Sequence, residues 1–422
     1  MQVAARSWEG RYTFIELMGS CQAVNLLLLF SEPNGHKITG EVMPTPEELE
    51  RIKLGPQTPQ QRVWWDRYSH QKLEQWRQVC DDQADACTAL IKRGRPSDML
   101  DQVEARAASE GGVFQEFLDH CGDVPGWVDF DIMDDAARIF KRYAPLQGLV
   151  LLCSSLVEGY AFNKPSQVLV ATGRLQKDVT RRIYETGQLL HNIVGEGNVA
   201  PGSVGHRTLM EVRLIHSSVR QFLWNSGKWD AEKYDQPINQ EDMAGTVLEF
   251  DFMVARGIER LGVKLSYEEK CLMQYFWRYA GLVLGVKEEL LPASLEEQEM
   301  LALQLVTHLY NPTPDSERLA KALLRDMAKE PPFHLPEGLL VAFSEFLIGP
   351  VVANDINMHA KPADRVKVRL IREAISMAAK GRHVAPTALQ KLLEQLNHRM
   401  RRKNIFDGLG GDPTQFAFRS LA

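Results

Sequence analysis

A histidine stands at the centre of an otherwise apolar helix face in TLMEVRLIHSSVRQFLW, residues 208–224. The positions of this face recur at intervals of three and four residues, as expected for one side of a helix. They are Leu209, Val212, His216, Val219 and Leu223. A buried imidazole is either a hydrogen-bonded core side chain or a ligand. Because a neutral imidazole on a helix can bind a haem iron and leave the other side of the iron open to oxygen, His216 is a candidate metal ligand.

Two polar side chains border the apolar face of the preceding segment, DVTRRIYETGQLLHNIV at 178–194. Arg182 and Thr186 are four residues apart and therefore share one side of a helix. Both could hydrogen-bond to oxygen, and Arg182 could also bind a haem propionate. The alternative is that Arg182 makes a core ion pair or extends its head to solvent.

A carboxylate interrupts the almost wholly apolar segment PLQGLVLLCSSLVEGYAF, residues 145–162. A helix of this composition should be buried on all sides. Burial raises the pKa of a carboxyl group, so Glu158 is a candidate general base. The alternatives are an ion pair with an arginine such as Arg182, or exposure at the helix end.

Several other chemistries lack their motifs. None of the 11 histidines follows a glutamate by three residues, and HExxH, GxGxxG, GxxxxGK[ST] and GxSxG are absent. The six cysteines form no CxxC pair, which favours free thiols over a metal cluster. The net charge of −6 gives no general nucleic-acid-binding signature. The basic run HRMRRK at 398–403 is interpreted as the solvated end of a helix.

Helical patterns dominate the chain and predict an all-α fold. Capping-box pairs are predicted at Thr208 with Glu211, Ser266 with Glu269, and Ser294 with Glu297. The PNG at 33–35 is expected to close a short hairpin or a loop. The predicted helices span 59–93, 99–109, 132–160, 176–194, 208–226, 240–261, 266–285, 294–309, 315–329, 336–348, 363–380 and 386–402.

The segment QPINQEDMAGTVLEFDF, 236–252, is expected to support the site structurally. Asn239 and Asp242 fit a helix cap, and Gly245 suggests the close approach of a flat group or another helix. No run of about 18 apolar residues is apparent, and the N-terminal VNLLLLF is too short to span a bilayer. We therefore expect no transmembrane segment and a cytoplasmic location.

Seven motifs occur together in a recognisable order. They are VPGWVD, LVATGRL (169–175), RRIYETG, VAPGSVG, EVRLIHSSVR, PINQEDMAGT and WRYAGLVLG (277–285). Over roughly 120–290, the chain resembles the haem-dependent oxygenase family that includes the latex-clearing protein, a rubber oxygenase, and the fungal MpaB-type oxygenases. The pairing of RLIHSSVR with PINQEDMAGT is the most specific element of the resemblance.

The resemblance implies a single large all-α domain with a globin-like core holding haem b. On this basis residues 1–120 form an N-terminal helical extension, 121–290 the haem-binding core, and 291–422 helices packed on that core. It also implies that dioxygen oxidises or cleaves a carbon–carbon double bond in a small apolar unsaturated substrate.

Residue by residue, the resemblance makes His216 the proximal iron ligand and places Arg182 and Thr186 on the distal side. Rubber oxygenases have a lysine immediately before this threonine, where the present chain has Glu185. Their catalytic glutamate does not align by spacing, and Glu158 is the nearest buried candidate. The alternatives are a haem protein of other function, such as a peroxidase-like enzyme or a gas sensor, and a cofactor-free helical scaffold.

Overall fold

The chain is folded entirely into helices over the part that the structure, a computed structural model, describes. The described residues are 55–173, 179–195, 197–383 and 387–409. Within them no β-strand occurs, and the one extended pairing is an isolated antiparallel bridge between Phe162 and Tyr310. The prediction of an all-α fold is confirmed, whereas the hairpin or loop predicted at 33–35 lies outside the described residues.

The α-helices are numbered here in chain order. They are α1 (Pro59–Arg67), α2 (His70–Trp76), α3 (Asp82–Thr88), α4 (Pro96–Glu110), α5 (Gly112–Gly122), α6 (Phe130–Arg142), α7 (Ala144–Val150), α8 (Leu156–Gly159), α9 (Asn163–Thr172), α10 (Val179–Ile193), α11 (Val204–Asn225), α12 (Ala231–Tyr234), α13 (Gln240–Phe250), α14 (Phe252–Arg260), α15 (Tyr267–Val283), α16 (Leu295–Leu309), α17 (Pro314–Asp326), α18 (Glu337–Asp355), α19 (Pro362–His383) and α20 (Thr387–Leu409). A π-helical segment, Leu151–Ser155, joins α7 to α8, and a 3₁₀ turn covers Glu288–Leu290.

Three predicted helices are broken in the structure. The predicted helix 59–93 is replaced by α1, α2 and α3, because Asp81 caps a new start by accepting from the Ala84 N–H. The predicted helix 132–160 ends at Arg142, and Pro145 lies in the first turn of the next helix. The predicted helix 240–261 is interrupted at Asp251, whose φ of −110° and ψ of −82° are not helical.

Three helices were not predicted from the sequence, α5, α9 and the short α12. Helix α5 begins immediately after α4, and the two glycines at the junction, Gly111 and Gly112, both have positive φ. A residue with positive φ lets the chain turn, and here a second helix starts directly at that turn.

The predicted capping box of Ser266 and Glu269 is observed in full, while Ser294 accepts from the Glu297 N–H as expected. The predicted box at Thr208 is wrong. Helix α11 begins one turn earlier, and the hydroxyl of Ser203 accepts from the His206 N–H. Thr208 instead donates to the Val204 carbonyl inside the helix.

The candidate residues lie on α10, α11 and the α7–α8 segment, which pack against other helices around a shared hydrophobic core. Helix α10 packs against α11 on one side and α20 on another. Helix α11 also packs on α3 and α4, while the π-helical segment contacts α13, α14 and α18. A π-helical turn inside a helix is rare and is found mostly at functional sites. Its position therefore indicates a candidate functional region where this segment meets α13.

Helix α18 is apolar and long enough to cross a membrane, the one such helix among the described residues, contrary to the expectation from the sequence. Over half of its most apolar window is buried inside the protein. Phe343 and Leu347 are completely enclosed, and the helix is interrupted at Gly349, where φ is 77°. Its apolar composition is therefore accounted for by packing in the core.

Candidate functional site

His216 lies deep below the surface of the protein, on the inward face of α11, as the sequence predicts. Nδ1 is fully enclosed and has no hydrogen-bond partner among the described residues, and Nε2 is not enclosed in this way. The ring keeps some accessible surface at this depth, which indicates an internal space beside it. Burial, followed by the positive charge of Arg220, lowers the pKa of His216 to about 4. The imidazole is therefore neutral at neutral pH and has a lone pair available to a metal.

The face of α11 next to His216 is anchored to α3 by buried ion pairs. The Arg220 guanidinium donates to both oxygens of Asp85 at 2.8–3.0 Å, and the Ser217 hydroxyl bonds to the same carboxylate. Arg213 makes the equivalent pair with Asp81, at 2.6 and 2.8 Å. These contacts on both sides of His216 fix the rotation of the helix and therefore the direction of the imidazole.

The segment 236–252 supports this arrangement, as predicted. The Ile238 carbonyl accepts from Arg220 Nη1 at 2.8 Å, and Asn239 caps α13 by accepting from the Asp242 N–H. No other helix approaches Gly245, contrary to one of the two alternatives predicted for it. A Cβ at this position would have no protein neighbour within 4 Å, and Gly245 borders a small cavity of about 50 Å³.

Arg182 projects from α10 toward the same deep region. Its Nη1 is enclosed and has no hydrogen-bond partner in the described part of the chain. Its positive charge influences the pKa of His216, of Tyr160 and of Glu249, so the guanidinium lies among these groups. An enclosed N–H without a partner destabilises the folded protein unless a ligand or water accepts a hydrogen bond from it. Arg182 is therefore a candidate residue for binding a hydrogen-bond acceptor.

Thr186 lies one turn further along α10, and its hydroxyl donates to the Arg182 carbonyl at 3.1 Å. Its remaining surface borders an apolar cavity described below. Glu185, which stands where rubber oxygenases have a lysine, is buried and pairs with Arg181 at 3.0 Å. The structure therefore brings Arg182 and Thr186 together on one side of α10, as predicted, and gives Glu185 a cationic partner.

Glu158 is buried within the apolar α7–α8 segment, as the sequence predicts, with 5% of its surface exposed. It accepts from the Ser154 hydroxyl at 2.6 Å, and Ser154 belongs to the π-helical segment. Its charge raises the pKa of a second buried carboxyl, Glu249 on α13. Glu158 is thus part of a carboxyl pair.

Glu249 was missed from the sequence. Burial, followed by the charge of Glu158, raises its pKa to about 8, while Arg182 acts in the opposite direction. Its carboxylate lies against the backbone of Gly159, where a Cβ would collide with it. A signal was present, since Asp242, Gly245 and Glu249 recur at helical spacing and form a polar or small stripe on α13. Nothing in the spacing, however, connected this stripe to Glu158.

The cluster can hold a haem by its own chemistry. It offers a neutral imidazole without a partner and, from another helix, an enclosed guanidinium N–H without a partner. Partly accessible apolar side chains on the same helices include Val219 and Ile183. No group of three or more histidine, cysteine, aspartate or glutamate residues that could hold a bare metal ion occurs in the described ranges. A single axial histidine beside apolar walls suits a metal whose other ligands come from a macrocycle.

An apolar cavity of about 170 Å³ lies between α7, α10 and α20. Its lining includes Thr186, which is one turn from Arg182 on α10, together with Ile183 and Leu156, whereas the four polar residues of the cluster do not line it. Apolar cavities of about 150 Å³ are known to stay dry and to bind benzene-sized molecules. The space is therefore suited to an apolar ligand.

The basic run 398–403 does not end a helix, contrary to the sequence interpretation. Helix α20 continues to Leu409, and Arg401 faces inward, while Arg402 and Lys403 are exposed. Arg401 Nη2 donates to Gln147 Oε1 at 2.7 Å and more weakly to the Ala144 carbonyl. Because α20 packs against the rest of the protein in this region, one side of the helix faces α7. The helical repeat places one arginine of the run on that side.

Comparison with known proteins identifies relatives. Residues 142–377 match the family model described as ER-bound oxygenase mpaB/B′/Rubber oxygenase, catalytic domain. The chain is 26% identical to the rubber oxygenase of Streptomyces sp. (strain K30) over 291 residues, which cover 68% of this chain and 69% of that protein. A solved structure of latex clearing protein in the closed state superposes with a TM-score of 0.59 at 23% identity, covering 78% of this chain and 91% of the other. That structural likeness shows the fold.

Proposed function

We propose, from the premise that the chain belongs to the family of ER-bound mpaB-type oxygenases and rubber oxygenases, that it is a haem b-dependent oxygenase of a small apolar unsaturated molecule. The members of this family are oxygenases, which are oxidoreductases that use dioxygen. The observation that carries the finer proposal is the neutral, unpartnered imidazole of His216 close to the unpartnered Nη1 of Arg182.

His216 would hold the iron of the haem through a ring nitrogen, and Arg182 is placed to donate to a propionate or to an oxygen atom of the co-substrate. When bound, the haem supplies the iron centre for dioxygen chemistry. The buried pairs of Arg213 and Arg220 keep the imidazole in place. Preorganised donors of this kind need no reorganisation when charge develops during a reaction.

The two buried carboxyls supply proton transfer. Because burial and the neighbouring Glu158 carboxyl raise the pKa of Glu249 to about 8, Glu249 carries a proton at neutral pH. We assign to Glu158 the role of accepting an allylic proton from a substrate in the apolar space, and Glu249 can stabilise it by donating a hydrogen bond. The apolar walls exclude water from this exchange.

An absorption spectrum of the full chain, produced with a haem supply and recorded with and without dithionite, tests the cofactor. We expect a Soret band that is lost in His216→Ala. His206→Ala is the matched control, because it removes another buried histidine from α11, one that bonds to the Cys121 carbonyl. A colourless protein, or an unchanged spectrum in His216→Ala, would contradict haem binding at this residue.

Oxygen consumption with a panel of terpenoids and unsaturated fatty alcohols tests the reaction. We expect uptake that requires the double bond and falls by a factor of about 100 or more in Glu158→Gln, as for loss of a general base. A haem-loaded protein that consumes no oxygen with any member of the panel would refute the oxygenase proposal and favour a haem protein of other function.

A further inference from the structure

Among the described residues that line the apolar cavity between α7, α10 and α20, one is charged, Arg401, and none is acidic. Its other polar lining groups are largely occupied: the Tyr184 hydroxyl donates to Pro331, and the Asn397 amide donates to backbone carbonyls of α6. Thr186 is bonded within α10. The cavity is thus an apolar chamber with a single cation in its wall.

The Arg401 guanidinium is only partly satisfied. Both of its hydrogen bonds leave from Nη2, to Gln147 and Ala144, and no carboxylate lies within ion-pairing distance among the described residues. Nη1 and Nε donate to nothing in that part of the chain. Among the described residues, several other deeply placed arginines pair with carboxylates, for example Arg77, Arg213 and Arg220. Arg401, which lines the cavity, has no such pair, and in this it resembles Arg182.

Burial lowers the pKa of Arg401 to about 10, without a compensating acid. The side chain therefore remains charged at neutral pH, and a buried cation without a counterion destabilises the protein. An anionic group bound beside Arg401 would supply the missing charge. A planar guanidinium with two free N–H groups is complementary to a carboxylate, which it can bind through two parallel hydrogen bonds.

The position of Arg401 sets the direction of a bound ligand. A Cβ at Gly187 would lie 3.5 Å from Ile405, and one at Gly408 would meet the ring of Tyr184, so α20 runs antiparallel to α10. Arg401, one turn before Ile405, is therefore at the end of the cavity that is farther from Arg182. At 1.5 Å per residue, the position on α10 that faces Arg401 is roughly 12 Å along the helix from Arg182.

We propose that this cavity binds the chain of an apolar unsaturated carboxylic acid, with the carboxylate on Arg401 and the chain directed toward Thr186 and Leu156. The unsaturation rests on the proposed oxygenase function, whereas the acid-binding site does not. The site distinguishes acids from neutral compounds of the same shape, because a neutral head group leaves the guanidinium uncompensated.

Isothermal titration calorimetry of the full chain with octenoate and with octenol, the neutral alcohol of the same chain, tests the site. We expect octenoate to bind at least tenfold more tightly than octenol, as charge-assisted hydrogen bonds predict. Arg401→Gln should abolish that preference, and Arg401→Lys should retain part of it. Arg402→Gln, which removes the neighbouring exposed arginine, should bind both compounds as the unaltered protein does.

Equal affinity for the two compounds, no binding of either, or an unchanged preference in a folded Arg401→Gln protein would each overturn the acid-binding site. Circular dichroism establishes that the variant is folded. The two proposals fail separately. Octenoate binding through Arg401 without oxygen uptake refutes the oxygenase reaction alone, while uptake with neutral terpenoids and no preference for octenoate refutes the acid site alone.

Discussion

Replacing Glu249 by glutamine should change how the stability of the protein depends on pH. The folded protein holds a proton on Glu249 up to about pH 8, whereas the unfolded chain releases it near the ordinary value of 4.5. Because the folded state binds more protons in this window, the contribution of Glu249 to stability is fully present below about pH 4.5 and is lost as the pH rises toward 8. Glutamine keeps the shape of the side chain and cannot ionise.

The magnitude follows from the shift in the pKa. Each pKa unit corresponds to about 1.4 kcal/mol, so the full raise to about 8 sets an upper bound of about 5 kcal/mol. Water entry and movement of Arg182 toward the newly charged carboxylate reduce that figure. We therefore expect Glu249→Gln to be more stable than the unaltered protein by about 2–4 kcal/mol at pH 8 and nearly equal to it at pH 5.

Urea unfolding of both proteins at several pH values from 5 to 8 measures the difference in their free energies of unfolding. The comparison requires that the two proteins have equal m-values. Glu116→Gln is the matched control, because Glu116 is exposed on α5 and its replacement should give a difference independent of pH. A Glu249→Gln difference that stays constant from pH 5 to pH 8 would refute the claim that this carboxyl is buried beside Glu158 in its protonated form.

Two further predictions test the packing around the site. Gly159→Ala should destabilise the protein by about 1–3 kcal/mol, because the added methyl group collides with the Glu249 carboxylate, whereas Gly245→Ala should be neutral or stabilising since its Cβ meets open space. Denaturant midpoints check both, and equal effects would contradict the contact. Asp85→Asn should cost about 3–5 kcal/mol and weaken haem retention, since it leaves the buried Arg220 guanidinium without its carboxylate. Asp98→Asn, which breaks an exposed pair with Arg95, should change neither thermal stability nor the Soret band, and similar losses in both variants would count against the anchoring role.

The candidate site was predicted from the sequence where one helix was enough to define it. The stripe around His216 and the spacing of Arg182 and Thr186 express the 3.6-residue period, which is local and survives whatever the rest of the chain does. The burial of Glu158 was also predictable from a single segment, because a helix that is apolar on nearly all sides is expected to be buried on all of them. The helix starts at Ser266 and Ser294 were predicted from a cap and its partner three residues apart, whereas the same spacing at Thr208 lies inside a helix.

Features that depend on two helices could not be predicted in this way. Glu249 and Glu158 are about 90 residues apart in the sequence, and only the packing of α13 on the π-helical segment makes them a pair. Arg401 was placed at a solvated terminus because a basic run suits a helix end, but its direction depends on the path of α20 along α7 and α10.

The fold class, the inward direction of His216 and the polar pair on α10 could be inferred from the chain alone, because each follows from short-range periodicity and from the resemblance carried by contiguous motifs. Which of these groups share one space, which carboxyl holds a proton and which arginines lack a counterion followed only from the packing of the helices. Burial and electrostatic interaction act through distance in space. A pKa or an unsatisfied hydrogen bond is set by the neighbours that folding brings together, and the chain order does not specify them.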